Sequence, residues 1–94
     1  MSLKLPYEKI QTADEGFKLA KEMINEELTA KFKVKAQISH DDKQKKVVAK
    51  GSGFEISILF NPDHALVSLD LGLLYKPMRS VIMDGVEKQL KRFI

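Results

Sequence analysis

Two histidines, His40 and His64, with Asp41, Asp42 and Asp63 close by in sequence, are the side chains of this 94-residue chain best suited to hold a metal ion or move a proton. Imidazole nitrogens and carboxylate oxygens make a workable ligand set for a divalent cation. Both histidines, however, fall in or beside polar turns, and no HxxxH or HExxH spacing presents two ligands from one helix. In the meander read below they share one end of the sheet, so a shared ion is geometrically conceivable, but exposed turn residues are the simpler account of both. Cysteine is absent, which removes thiolate nucleophiles, disulfides and Cys-based metal sites together. Ser52 sits between Gly51 and Gly53. The alternating runs on either side make that a hairpin turn, not the strand-to-helix elbow that activates a serine, and no helix or GK[ST] follows as a phosphate loop requires. The chain therefore reads as a non-enzyme, with no catalytic, cofactor-binding or metal-binding set.

The lysines are the next candidates. Lys33, Lys35, Lys46 and Lys50 fall in the runs KFKVK, KQKK and VVAK and could form a cationic patch on one hairpin. The formal net charge is +3, carried by residues 1–50, where eleven lysines face eight acidic residues; the remainder is balanced. That favours solubility and weak attraction to anions, and it falls short of a dedicated nucleic-acid binder. The alternation assigns Phe32 and Phe54 to the core face, so exposed aromatics for base stacking are missing too. Lys88, Lys91 and Arg92 with Phe93 and Ile94 could touch a membrane, although packing explains the two apolar residues.

The elements that would position these residues centre on residues 54–71. FEISILF and ALVSLDL flank the turn NPDH. Phe54, Ile56, Ile58 and Phe60 share one face of the first run; Ala65, Val67, Leu69 and Leu71 share one face of the second. Val34, Ala36 and Ile38 give an earlier strand, and residues 46–50 another. Thr12 with Glu15 fits a capping box, opening an amphipathic helix through Phe17, Ala20, Ile24, Leu28 and Phe32 that ends near Lys31. Pro77 suits a first helical position, and Met78, Ile82, Val86, Leu90 and Phe93 trace the inward stripe of a second helix. The expected fold is α+β: helix, four-stranded antiparallel meander, helix, with both helices on one face of the sheet. Residues 1–94 form a single domain, with 1–11 a lead-in that is partly extended or disordered and in which Pro6 opposes helix. The hydrophobic fraction of 44% is too high for a disordered chain. No apolar run reaches the roughly 18–20 residues of a membrane span, and no apolar leader is visible, so a cytoplasmic protein is expected.

Register follows from keeping apolar with apolar, because a slip of one residue turns every side chain to the wrong face. Loops at 41–44, 52–53 and 61–64 set Ile38 against Val47, Ala36 against Ala49, Ile56 against Ala49 and Leu69, and Ile58 against Val47 and Val67. On the opposite face the rows are Lys35, Lys50, Glu55, Asp70; then Gln37, Val48, Ser57, Ser68; then Ser39, Lys46, Leu59, Leu66. That uncovered face is polar apart from Val48, Leu59 and Leu66, which are the candidate contact residues for a partner. A domain this small gains from burying more surface, so a homo-oligomer is expected.

From Ser52 onward the pattern is more particular. Ser52 and Gly53 before a strand, Leu71-Gly72-Leu73-Leu74 closing the last strand, and the Pro-started helix PMRSVIMDGVEKQL resemble the family of polyhydroxyalkanoic acid system proteins. The resemblance extends over most of the chain if residues 17–32 match that family's first helix; Tyr7 stands where the family often has a histidine. It implies a small helix–strands–helix domain of bacterial polyester granules, non-enzymatic, acting on a coat protein or on the apolar granule surface. Two alternatives come from the residues alone: a nucleic-acid module using the four lysines, and a carrier of a small hydrophobic molecule between helices and sheet.

Overall fold

The computed structural model describes residues 2–24, 36–73, 75–92 and 94. Its elements are β1 (Ser2–Pro6), α1 (Ala13–Met23), β2 (Ala36–Asp41), β3 (Lys46–Gly51), β4 (Phe54–Phe60), β5 (His64–Leu71), a 3-10 turn (Lys76–Met78) and α2 (Arg79–Lys91). The strands form one antiparallel sheet in the order β1-β5-β4-β3-β2.

The sheet has five strands, not four. The lead-in contributes the fifth, pairing with β5 so that Leu3 faces Val67 and Leu5 faces Ala65. Leu3 and Leu5 alternate with Lys4, which is strand periodicity in miniature. Pro6 rules out helix yet is tolerated at the end of an edge strand, where no ladder donor is required. Beyond β1 the Tyr7 hydroxyl donates to the Asn61 carbonyl at 2.6 Å. The Ile94 carbonyl accepts from the amides of Glu8 (2.5 Å), Lys9 (2.7 Å) and Ile10 (3.4 Å). The lead-in is thus ordered against both the β4–β5 turn and the segment after α2.

The three central strands follow the expected register: Gly51 faces Phe54, Ala49 faces Ile56, Ile58 faces Val67 and Phe60 faces Ala65. Gly53 takes φ 86°, the left-handed conformation that glycine adopts without strain and that the two-residue turn needs. The outer hairpin is shifted by two residues. Ile38 faces Ala49, Ala36 faces Gly51 and Asp41 faces Lys46. The cause is Asp41, whose Oδ1 accepts from the amides of Lys43 (3.0 Å) and Gln44 (3.1 Å). This side-chain-closed turn moves the loop to residues 42–45, with Lys45 at φ 55°. A two-residue shift keeps parity, so each side chain of β2 stays on its expected face.

Thr12 caps α1 by accepting from the Glu15 amide at 3.2 Å. The helix ends at Met23 rather than near Lys31, because Ile24 leaves the helical conformation (φ −103°, ψ 96°). Leu28 and Phe32, expected on the same stripe, lie outside the described residues, as does Val34 of the first expected strand. Phe17 meets Phe60 edge-on with ring centres 6.4 Å apart. A Cβ on Gly16 would fall 2.7 Å from Phe60 Cδ1 and 2.8 Å from Ile10 Cδ1, so glycine here permits close approach of helix to sheet. Lys45–Asp14 (2.7 Å) and Lys21–Asp42 (3.3 Å) ion pairs tie α1 to the β2–β3 turn.

The second helix also departs from expectation at its start. Pro77 lies in the 3-10 turn, and Met78 precedes the α-helix and is largely exposed. The inward residues of α2 are Met83 and Leu90, with Ile82 and Val86 half-buried beside them; Phe93 lies outside the described residues. One hydrophobic cluster unites Leu5, Ile10, Phe17, Ala20, Val47, Ile58, Phe60, Ala65, Val67, Leu69, Met83, Leu90 and Ile94. Burying each of its larger side chains contributes roughly 1.5–3 kcal/mol.

Candidate interaction face

Strand parity places the other side chains of β1–β5 on the face away from this cluster, in three rows beyond an end pair of Pro6 and His64. One row reads Lys4, Leu66, Leu59, Lys46, Asp41; the next Ser2, Ser68, Ser57, Val48, Ser39; the last Asp70, Glu55, Lys50, Gln37. Leu59 and Leu66 lie directly across from each other, with Lys46 on one side and Lys4 on the other. Directly opposed antiparallel side chains stand about 4.5–5.5 Å apart at Cβ, so the two leucines form a continuous apolar spot. Both are half-buried, as is Val48 one row away. A shallow depression beside them is lined by Ser2, Ser57, Ser68, Glu55 and Asp70. The face is therefore banded: aliphatic between lysines, then chiefly hydroxyl, then a row of two acids, a lysine and a glutamine.

The strand the sequence reading missed supplies two members of this surface, Ser2 and Lys4. Of the four lysines read as a basic patch, Lys46 flanks the leucines, while Lys50 faces Glu55 across β3–β4 and Gln37 across β2–β3. Lys33 and Lys35 lie outside the described residues, and the two-residue shift of β2 sets Gln37 against Lys50 where Lys35 was expected.

The histidines have separate occupations. His40, on β2, packs edge-on against Phe17 at 6.4 Å between ring centres. His64, on β5, lies 2.6 Å through Nδ1 from Asp63 Oδ1 and 3.1 Å through Nε2 from Asn61 Nδ2. Asp63 can only accept and the Asn61 amide nitrogen can only donate, so this network assigns the ring proton to Nδ1. The His64 hydrogen bond holds the Asp63 carboxyl below the usual carboxylate range. Burial, and then the charge of Asp63, push the Tyr7 hydroxyl up to about 12. Tyr7, Asn61, Asp63 and His64 together lock the β4–β5 turn to the lead-in. Among the described residues no three His, Cys, Asp or Glu side chains are grouped to hold a metal ion. Among them, too, no helix is long and apolar enough to cross a membrane.

The described residues thus form an α+β domain, helices with a five-stranded antiparallel sheet. Residues 11–94 match the family described as Putative polyhydroxyalkanoic acid system protein. The chain belongs to that family. The match begins after β1, so the strand carrying Ser2 and Lys4 precedes the matched region. Comparison with curated proteins and with solved structures finds no match.

Proposed function

We propose that this protein serves the bacterial polyhydroxyalkanoate system as a non-enzymatic interaction protein, gripping a protein partner or the apolar granule surface through its outer sheet face. In this reading both helices roof the opposite face, and the protein acts in the cytoplasm at the granule as a homo-oligomer. The observation that carries the proposal is the Leu59–Leu66 pair, opposed across β4 and β5 on the side away from the core and bracketed by Lys46 and Lys4. Family membership supplies the setting. Aliphatic side chains at the centre of a contact lose water on docking, while the lysine stems can cover the rim with their ammonium groups in solvent.

The decisive experiment replaces Leu59 and Leu66 with serine and follows co-sedimentation with isolated polyester granules alongside size-exclusion elution. Loss of granule association and a shift to a smaller species, with an intact circular-dichroism melt, is the expected result. Unchanged co-sedimentation and elution overturn the proposal.

A further inference from the structure

Away from the outer sheet face, the large apolar side chains left to solvent among the described residues gather in one stretch: Leu73 is 84% exposed, Met78 47% and Val81 67%. Along α2 and its start, Met78, Val81, Gly85, Lys88 and Arg92 recur at three- and four-residue steps and so share one side of the helix. Met83 and Leu90, both buried, occupy the other side. Nothing lies within 4 Å of the position a Gly85 Cβ would take, so the outer side is clear of the protein's own atoms there. Lys88 and Arg92 are exposed, as is Asp84, three residues after Val81 and four before Lys88, whereas Arg79 falls on the Met83 side. Lys91 is engaged by Glu87 at 3.1 Å. The outer side thus begins aliphatic at Met78 and Val81 and ends cationic at Lys88 and Arg92, with Asp84 at its edge.

We propose that this side of α2 docks on an anionic phospholipid surface. Met78 and Val81, with Leu73 just before the helix, enter the boundary of the acyl chains, and Lys88 and Arg92 rest among the phosphates. Both halves of the surface are needed for the assignment. Aliphatic side chains gain by leaving water, and cations gain from a negatively charged leaflet. A second copy of the chain fits poorly, since an antiparallel twofold pairing of this side about Gly85 would set Lys88 over Val81 and Arg92 over Met78. Nucleic acid supplies phosphates but no apolar layer for three aliphatic residues. The proposal uses none of the residues of the outer sheet face and stands or falls separately from it.

The chain contains no tryptophan, so Val81→Trp introduces a single fluorophore at the proposed point of entry. Low-salt titration with vesicles of phosphatidylglycerol and phosphatidylcholine should shift its emission to the blue. Vesicles of phosphatidylcholine alone should not, and added salt should reverse the shift. Co-sedimentation of the unsubstituted chain with the same vesicles provides a second readout that does not depend on the probe. The double variant Lys88→Glu, Arg92→Glu should weaken that binding by more than about tenfold. Leu73→Asp should weaken it as well, whereas the Leu59→Ser, Leu66→Ser variant should bind vesicles as the parent does. All of these positions except Leu59 and Leu66 are exposed, and a circular-dichroism melt confirms folding of each. Absence of vesicle binding at low salt, equal binding to neutral vesicles, or indifference to Leu73→Asp overturns the proposal. Capture of an acidic protein, or concentration-dependent dimerisation, without vesicle binding does so too.

Discussion

Helices α1 and α2 each carry a glycine in their span, and the structure uses them in opposite ways. In α1, Gly16 lies where a Cβ would collide with Phe60 and Ile10. The missing side chain is what lets the helix settle on β3 and β4 with Phe17 and Ala20 buried. In α2, Gly85 faces open space, so it costs helix stability and gains no packing in the monomer. The same residue type is therefore a packing device in one helix and an unused position in the other. What decides is the surface opposite, which sequence periodicity does not report.

Four measurements sharpen or break this contrast. Leu90, fully buried on the inward side of α2, should cost about 3 kcal/mol on truncation to alanine, seen as a lowered urea midpoint. A loss under about 1 kcal/mol would mean that α2 packs loosely. Gly16→Ala should destabilise by about 1–2 kcal/mol net, since overpacking against the constrained Phe60 ring outweighs the gain in helix propensity. Gly85→Ala should act in the opposite sense, raising stability by about 0.5–1 kcal/mol because the added methyl meets nothing. If both glycine variants moved the thermal midpoint the same way, the contrast would be gone.

The smallest effect concerns pH. Tyr7 keeps its proton in the folded protein up to about 12, whereas an unfolded tyrosine releases it near 10. The folded state therefore binds more protons than the unfolded state between those values. Stability from this source is whole below about pH 10 and is lost as pH climbs toward 12. Tyr7→Phe should flatten that part of the stability–pH curve in chemical denaturation, while slightly lowering stability at neutral pH through loss of the bond to Asn61. An unchanged slope would place the Tyr7 hydroxyl in water.

What could be read from the sequence divides along physical lines. The register of β3, β4 and β5 was legible because tight turns and strict alternation leave few ways to pair Ala49, Ile56 and Leu69. The β2–β3 register was not, because shifting by two preserves every face, and only the hydrogen bonds of Asp41 choose between the options. Strand β1 was missed since two leucines around Lys4 are a weak signal beside a proline, and its partner is distant in the chain. The stripe of α2 was misjudged at Met78 because apolar residues at 78, 81, 82, 83, 86 and 90 wrap much of the helix circumference. Periodicity alone could not say which of them look inward. Of the candidate face, the Leu59–Leu66 pair followed from parity, but the flanking Lys4 could not be foreseen without β1.

The annexation of β1 by β5 has a consequence for anyone shortening this protein. A version cut back to the family-matched region at residue 11 would bare the hydrogen-bonding rim of β5 along Ala65, Leu66 and Val67, with Leu5 gone from the core. Such a rim templates cross-molecular strand addition. The trimmed protein should aggregate on storage where the longer one stays dispersed.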